Sequence, residues 1–198
     1  MVITDAALLK GRDPVEACRR AVAGGATIVQ ARLKDASARD LLGLARALVD
    51  ALPVPVIVND RVDVALAVGA DGVQRTSTSL TVEDIRAIAD KRLRIGASVH
   101  SLPDALQAEL EGADWLVFGP VYDTPSKRMY GPPQGLDKLA RVAAAVRLPV
   151  VALGGITPAR VRDVRAAGAR GVAVVSSILA ADSPADATRR FLEALAAS

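Results

Sequence analysis

A chain of 198 residues, 51% hydrophobic but only 3% aromatic, is long enough for one domain with a sizeable core, and that core must be built from Ala, Val and Leu. The net charge of +3 comes from interleaved charges, as in Arg160-Val-Arg-Asp-Val-Arg165, which read as solvated helix faces and not as a nucleic-acid stripe. Apolar runs too short to span a membrane, no leader-like segment before the first strand-like run, and a single cysteine, Cys18, that excludes an internal disulfide together indicate a cytoplasmic protein.

In chain order the pattern is a short apolar strand, a polar loop and an amphipathic helix, repeated. Val2-Ile-Thr4 reads as the first strand. Asp13-Pro14 opens a helix to about Ala23, as N-cap and first-turn proline. Ile28–Ala31 is the second strand, and Ser37 caps a long helix to about Ala51. Val54–Val58 is the third strand, followed by a helix near Val62–Val68. Asp71-Gly-Val73 reads as a weak fourth strand, and Thr81 with Glu83 and Asp84 starts the next helix. Leu93–Ala97 is the fifth strand, with Ser101 to Asp104 opening its helix. Trp115–Phe118 is the sixth, with a helix at about Gly135–Val146. Pro149–Leu153 is the seventh, and Thr157-Pro158 caps the helix after it. Gly171–Val175 is the eighth, and Pro184 to Ala197 is the closing helix. Cys18 falls mid-helix among Ala and Val and reads as a packed small hydrophobe.

Strands apolar on both faces that alternate with helices imply parallel pairing through crossovers. Eight such units predict one closed (β/α)₈ TIM barrel spanning residues 1–198. An open doubly wound sheet is the competitor. A Gly-Ala pair precedes every second strand: Gly25-Ala26, Gly69-Ala70, Gly112-Ala113 and Gly168-Ala169. Each glycine suits the left-handed residue past a helix end. The interval spanning Gly119–Gly135 is the longest, which marks that loop as functional or mobile.

In such a barrel the chemistry gathers at the C-terminal strand ends. Gln30, Arg32 and Lys34 follow strand two. Asn59 and Asp60 follow strand three. Ser98, and His100 two residues on, follow strand five. Thr124, Ser126 and Lys127 follow strand six. Gly154-Gly155 follow strand seven, and Ser176-Ser177 follow strand eight. Singly, each has an ordinary structural use. Arg32 and Lys34 suit a solvated loop, Asn59-Asp60 a turn or cap, Gly154-Gly155 a turn, Ser176-Ser177 an N-cap, and His100 a helix start. Together they put three cations, one carboxylate, several hydroxyls and two helix N-termini on one rim. That set suits a phosphate or pyrophosphate, with Asp60 available to Mg²⁺. It stabilises a departing anion better than it shuttles protons.

Five segments then become recognisable: Val29-Gln-Ala-Arg-Leu-Lys-Asp35, Val58-Asn-Asp-Arg-Val-Asp63, Gly119-Pro-Val-Tyr-Asp-Thr-Pro-Ser-Lys127, Val151-Ala-Leu-Gly-Gly155 and Val174-Val-Ser-Ser-Ile178. In that order they resemble the motifs of the thiamine phosphate synthase/TenI family, over nearly the whole chain. The resemblance implies a (β/α)₈ barrel. It implies a transferase that joins hydroxymethylpyrimidine pyrophosphate to thiazole phosphate with Mg²⁺ and releases pyrophosphate. By the same resemblance, Gln30, Arg32 and Lys34 hold pyrophosphate and pyrimidine, Asn59 contacts the same substrate, and Asp60 is a magnesium ligand. Ser98 lies near the pyrimidine. Thr124, Ser126 and Lys127 surround the thiazole phosphate and pyrophosphate, and Gly155 and Ser176 cradle phosphate. A homodimer is expected on the same ground.

One departure stands out. Synthases carry His-Leu-Gly-Gln-x-Asp after strand four, and its aspartate is the second magnesium ligand. Here the stretch is Gln74-Arg-Thr-Ser-Thr-Ser79, so Ser79 stands in the aspartate's place. That stretch and Ser98-Val-His-Ser101 look like TenI-type members, some of which are thiazole tautomerases. The histidine that tautomerases carry in their Phe-Gly-His segment is Pro120 here, as in synthases. The alternatives to the transferase are therefore a TenI-type tautomerase and a non-catalytic phosphate-ligand binding or regulatory protein.

Overall fold

The chain's structure is a computed structural model that describes residues 1–9, 11–124, 128 and 131–198. Strands and helices alternate through it as β1 (Val2–Ile3), α1 (Pro14–Ala23), β2 (Val29–Ala31), α2 (Ala38–Ala51), β3 (Val56–Asn59), α3 (Val62–Val68), β4 (Gly72–Arg75), α4 (Val82–Ala89), β5 (Arg94–Val99), α5 (Leu102–Leu110), β6 (Trp115–Phe118), α6 (Gly135–Ala145), β7 (Val150–Leu153), α7 (Val161–Ala166), β8 (Gly171–Ala173), α8 (Ser176–Leu179) and α9 (Pro184–Ala196). Single 3₁₀ turns stand at Ala6–Leu8 and Pro158–Arg160.

The helices start where side chains can take up their free N–H groups. The Asp13 carboxylate accepts from the N–H groups of Val15 and Glu16. Ser37 with Asp40, and Thr81 with Asp84, form reciprocal capping boxes on α2 and α4. Ser101 and Ser183 accept from N–H groups in the first turns of α5 and α9. Thr157 heads only the 3₁₀ turn and makes no side-chain cap. All four repeat glycines have positive φ. At Gly69 the conformation is fully left-handed, which no β-branched residue tolerates, and it ends α3 before β4.

All eight strands are parallel and pair in sequence order from β1 to β8. A bridge between Val2 and Val174 joins the first strand to the segment just past the last. The Ile3 N–H donates to the Val174 oxygen at 3.0 Å, and the Val174 N–H to the Met1 oxygen at 3.0 Å. The sheet is therefore a barrel and not an open doubly wound sheet.

Alternation along each strand separates two layers. Outward residues such as Val29, Val58, Val73, Ile95, Leu116, Phe118 and Ala152 pack under the helices with Leu44, Leu48, Ile85, Leu139, Val161 and Phe191. Inward residues form a smaller apolar cluster of Ile3, Val117 and Ala173 with Met1, Trp115, Val151, Leu153 and Val175. Cys18 is fully buried in the outer layer, where burial, and then the nearby Asp13, push its thiol up to about 12. It behaves as a small hydrophobe, as its position in the sequence indicates.

Three expectations shift. β4 is no weak strand: it runs to Arg75 and pairs with β3 and β5, so Gln74 lies inside the sheet. β5 extends to Val99, so Ser98 lies within that strand and not after it. β3 begins at Val56, because Pro55 lacks the N–H that pairing requires.

Candidate active site

At the end of β2, the Arg32 backbone is tied to β1. Its N–H donates to the Thr4 hydroxyl at 2.7 Å, and that hydroxyl donates to the Arg32 oxygen at 2.8 Å. The Arg32 guanidinium reaches Asp5 Oδ2 at 3.4 Å, and Lys34 Nζ lies 4.0 Å from the same oxygen. The other oxygen of Asp5 accepts from the Ala7 N–H. The two cations thus share one carboxylate. Asp5 is not among the residues expected here, which start at the end of strand two. Its signal was its place just after Val2-Ile-Thr4.

Two strands on, Asp60 has φ +68, a left-handed backbone that aspartate tolerates better than most residues. Its N–H donates to the Gln74 oxygen at 2.9 Å. Its carboxylate accepts from the Ser79 hydroxyl and, at 3.3 Å, from the Thr76 hydroxyl. The Thr76 and Ser79 hydroxyls lie 2.8 Å apart. Ser79, the residue in the place of the second family carboxylate, therefore does meet Asp60. Asn59 is the last residue of β3 and pairs with Gln74, so it faces the barrel mouth beside Asp60. No cluster of three acidic, histidine or cysteine ligands occurs among the described residues. The donor set is one carboxylate with two hydroxyl oxygens. Hard oxygen donors with a single carboxylate fit a Mg²⁺ that arrives on phosphate oxygens and keeps its waters, and do not fit a closed protein cage.

Inside the mouth, Gln30 is 2% exposed, with its amide 3.9 Å from the Met1 sulfur. Ser98 accepts a hydrogen bond from the Gln74 amide at 3.1 Å. His100, at the end of β5, turns its Nδ1 onto the Gly119 oxygen and so ties β5 to the loop after β6. That contact gives the histidine a structural use.

On the far side of the rim, Gly154 and Gly155 have φ of +99 and +64. A Cβ at Gly155 would come within 2.7 Å of the Asp123 oxygen and 2.8 Å of the Tyr122 Cβ. The pair is glycine because the β6 loop lies directly on it. Arg160 fastens the same corner: it donates to the Gly155 oxygen at 2.7 Å and lies 4.4 Å from the centre of the Tyr122 ring. Thr124 is half-buried in this loop. Next to it, Asp123 takes a forked pair from Arg128, and that hydrogen bonding holds its carboxyl below the usual range. Ser126 and Lys127 lie outside the described residues. Ser176 and Ser177 open α8, whose first N–H groups have no acceptor within the helix. The Ser177 hydroxyl donates to the Ile156 oxygen at 2.8 Å, so only Ser176 keeps a free-standing, exposed hydroxyl.

The strand order puts Arg32 and Asp60 on adjacent strands of one rim, with Gln30, Asn59, Ser98, Gly155 and Ser176 around the same opening. The arrangement is cationic on one side, carries a carboxylate and hydroxyls beside it, and offers backbone N–H groups opposite. No strong general base stands at its centre among the described residues.

The chain matches the family model described as thiamine monophosphate synthase over residues 1–178. It is 45% identical to the thiamine-phosphate synthase of Chloroflexus aurantiacus, over 96% of this chain and 89% of that one. It is 44% identical to the thiamine-phosphate synthase of Methanoculleus marisnigri, over 100% of this chain and 95% of that one. Among solved structures, a thiamine phosphate pyrophosphorylase from Pyrococcus furiosus superposes with a TM-score of 0.90 at 37% identity, covering 99% of this chain and 95% of that one. A 3-hexulose-6-phosphate synthase superposes at a TM-score of 0.74 with 16% identity, a likeness of fold alone. With the family model covering residues 1–178 and relatives of 44–45% identity spanning nearly the whole chain, the chain belongs to the thiamine monophosphate synthase family of enzymes.

Proposed function

We propose that the protein is a thiamine-phosphate synthase, a transferase that joins hydroxymethylpyrimidine pyrophosphate to thiazole phosphate and releases pyrophosphate. The observation that carries this reading is the meeting of Arg32 and Lys34 on one carboxylate, Asp5, at the end of β2, with the Asp60–Ser79 cluster at the end of the neighbouring strand β3. In the chemistry proposed, the bond between the pyrimidine methylene carbon and the pyrophosphate oxygen breaks, and its electron pair leaves with pyrophosphate. The thiazole nitrogen lone pair then forms the new carbon–nitrogen bond. Arg32 and Lys34 bind the charge that grows on the leaving oxygens, aided by Lys127, as the family motif implies. Gln30, Asn59 and Ser98 orient the pyrimidine. Gly155 and Ser176 offer N–H groups to the thiazole phosphate, with hydroxyl contacts from Thr124 and, as the family motif implies, Ser126. Mg²⁺ held by Asp60, with Ser79 and Thr76 beside it, would neutralise diphosphate charge when bound. No step requires a protein base, which agrees with His100 being occupied at Gly119.

The tautomerase reading draws on Ser79, because loss of the second carboxylate weakens the metal site. Against it stands Pro120, where the tautomerase histidine belongs. Incubation of the purified protein with both substrates, with and without Mg²⁺, separates them. Pyrophosphate release that needs both substrates and Mg²⁺, and that collapses in Asp60→Asn, is expected. Metal-independent isomerisation of thiazole carboxylate phosphate, with no pyrophosphate, would replace the synthase reading. Ligand binding without either turnover would replace it with a phosphate-ligand binder.

The proposed setting is the cytoplasm, compatible with the buried free thiol of Cys18. None of the described helices is long and apolar enough to cross a membrane. The proposed assembly is a homodimer, which sedimentation measures directly.

A further inference from the structure

A ladder of three side chains runs through the barrel interior. The Trp115 indole N–H donates to Gln74 Oε1 at 3.0 Å, and Gln74 Nε2 donates to Ser98 Oγ at 3.1 Å. Gln74 is 2% exposed. The three come from β6, β4 and β5, and Gly96 makes room for them. A Cβ at Gly96 would lie 2.2 Å from the Trp115 ring and 2.4 Å from Gln74 Oε1.

Chemistry orients this ladder. An indole nitrogen only donates, so it must face the oxygen of the Gln74 amide. Turning the amide over would set its NH₂ against the indole N–H and leave two facing donors unpaired, one of them on the buried Gln74, which costs more than one hydrogen bond is worth. The Gln74 NH₂ is therefore committed to Ser98. A serine hydroxyl that accepts there keeps its own hydrogen for another partner. Ser98 stands two residues beyond Gly96, nearer the C-terminal mouth, and is only half-buried.

We infer that Gln74, locked by Trp115, is a positioning residue that makes Ser98 a hydrogen-bond donor toward an acceptor atom, a ring nitrogen, of the heteroaromatic substrate in the barrel mouth. The substrate class rests on the synthase reading above; the polarity of the ladder does not. Trp115 thereby acts on ring recognition from the barrel interior, without touching the substrate. The ladder also gives the buried Gln74 of the Gln74–Ser79 stretch a use distinct from that of Ser79 at the Asp60 cluster.

Steady-state kinetics with both substrates provide the test. Gln74→Met keeps the volume but removes the donor and acceptor, and is expected to raise KM for the pyrimidine pyrophosphate about 10-fold, the worth of one directed hydrogen bond. KM for the thiazole phosphate should stay unchanged. Trp115→Phe should move the same constant in the same direction, because the amide loses the group that orients it. In a Ser98→Ala background, Gln74→Met should add nothing; independent, additive effects would overturn the proposal. As the only tryptophan in the chain, Trp115 gives a single indole N–H resonance. That resonance should be protected from exchange in the substrate-free protein and lose protection in Gln74→Met. An indole N–H exchanging at the solvent rate in the unmodified protein would overturn the ladder whatever the enzyme catalyses. Absence of turnover sinks the synthase reading; normal turnover with an unchanged pyrimidine KM in both Gln74→Met and Trp115→Phe sinks this one.

Discussion

The two faces of the barrel wall differ in kind. The outer face, between strands and helices, is a continuous layer of Val, Leu, Ile and Ala in which Leu48, Ile85, Leu116 and Leu139 are fully buried. The inner face holds a small apolar cluster around Ile3, Val117 and Ala173, together with Gln30, Gln74 and Ser98. Buried polar side chains cost free energy unless they are paired, and the two long ones among the described residues, Gln30 and Gln74, both lie on the inner face. The outer layer thus makes the barrel, while the inner face and rim give up some burial to place chemistry. Stability and activity should therefore respond to different substitutions.

The largest effect expected is on the outer face. Leu48→Ala removes a fully buried side chain of α2 and should lower unfolding free energy by about 2–5 kcal/mol, read by urea denaturation. Its pyrimidine KM should stay as it was. A changed KM would blur the division between the faces. Next comes the rim: Arg32→Ala, whose side chain is 23% exposed, should cost about 100-fold in kcat/KM, equivalent to about 2.7 kcal/mol, with a midpoint of unfolding close to that of the parent protein. Equal losses in stability and rate would deny Arg32 its functional place. Gly155→Ala tests the seam between the two regions. Its φ of +64 and the overlying Asp123 oxygen should make it cost about 1–3 kcal/mol of stability and also reduce turnover. The smallest effect sharpens the picture most. Asp5→Asn removes the carboxylate that Arg32 and Lys34 share, and should tighten inorganic pyrophosphate binding by about 2- to 5-fold in calorimetry, the scale of a partly exposed ion pair. Weaker pyrophosphate binding would mean that Asp5 orients the cations more than it competes for them.

Much of the rim was legible from residue order. Arg32, Lys34, Asn59, Asp60, Gly155 and Ser176 all stand at strand ends around one opening, because the alternation of strand and helix fixes which loops share a face. Ser98 was legible as a site residue but belongs to the strand itself, since β5 continues to Val99. Ser177 was legible as a serine near a helix start, but its hydroxyl is spent on Ile156. Asp5 and Thr76 were not legible. An aspartate after a two-residue strand and a threonine in a polar run look like any turn until their partners are known. Gln74 gave no sign of its role, because its two partners lie 24 and 41 residues away.

Sequence alone determined the repeating units: the capped helices, the apolar strands, the glycines that turn one into the next, and the motifs that mark the family. Those signals are local, resting on neighbours within a turn or two. Closure of the sheet and the meeting of polar groups were decided only in three dimensions. The bond from Ile3 to Val174 joins the two ends of the barrel. The pairing of Asp60 with Ser79, of Arg32 with Asp5, and of Trp115 with Gln74 depends on which strands become neighbours. A hydrogen bond has direction and a reach of about 3 Å. No pattern along a chain can specify that contact until packing has brought its two groups together.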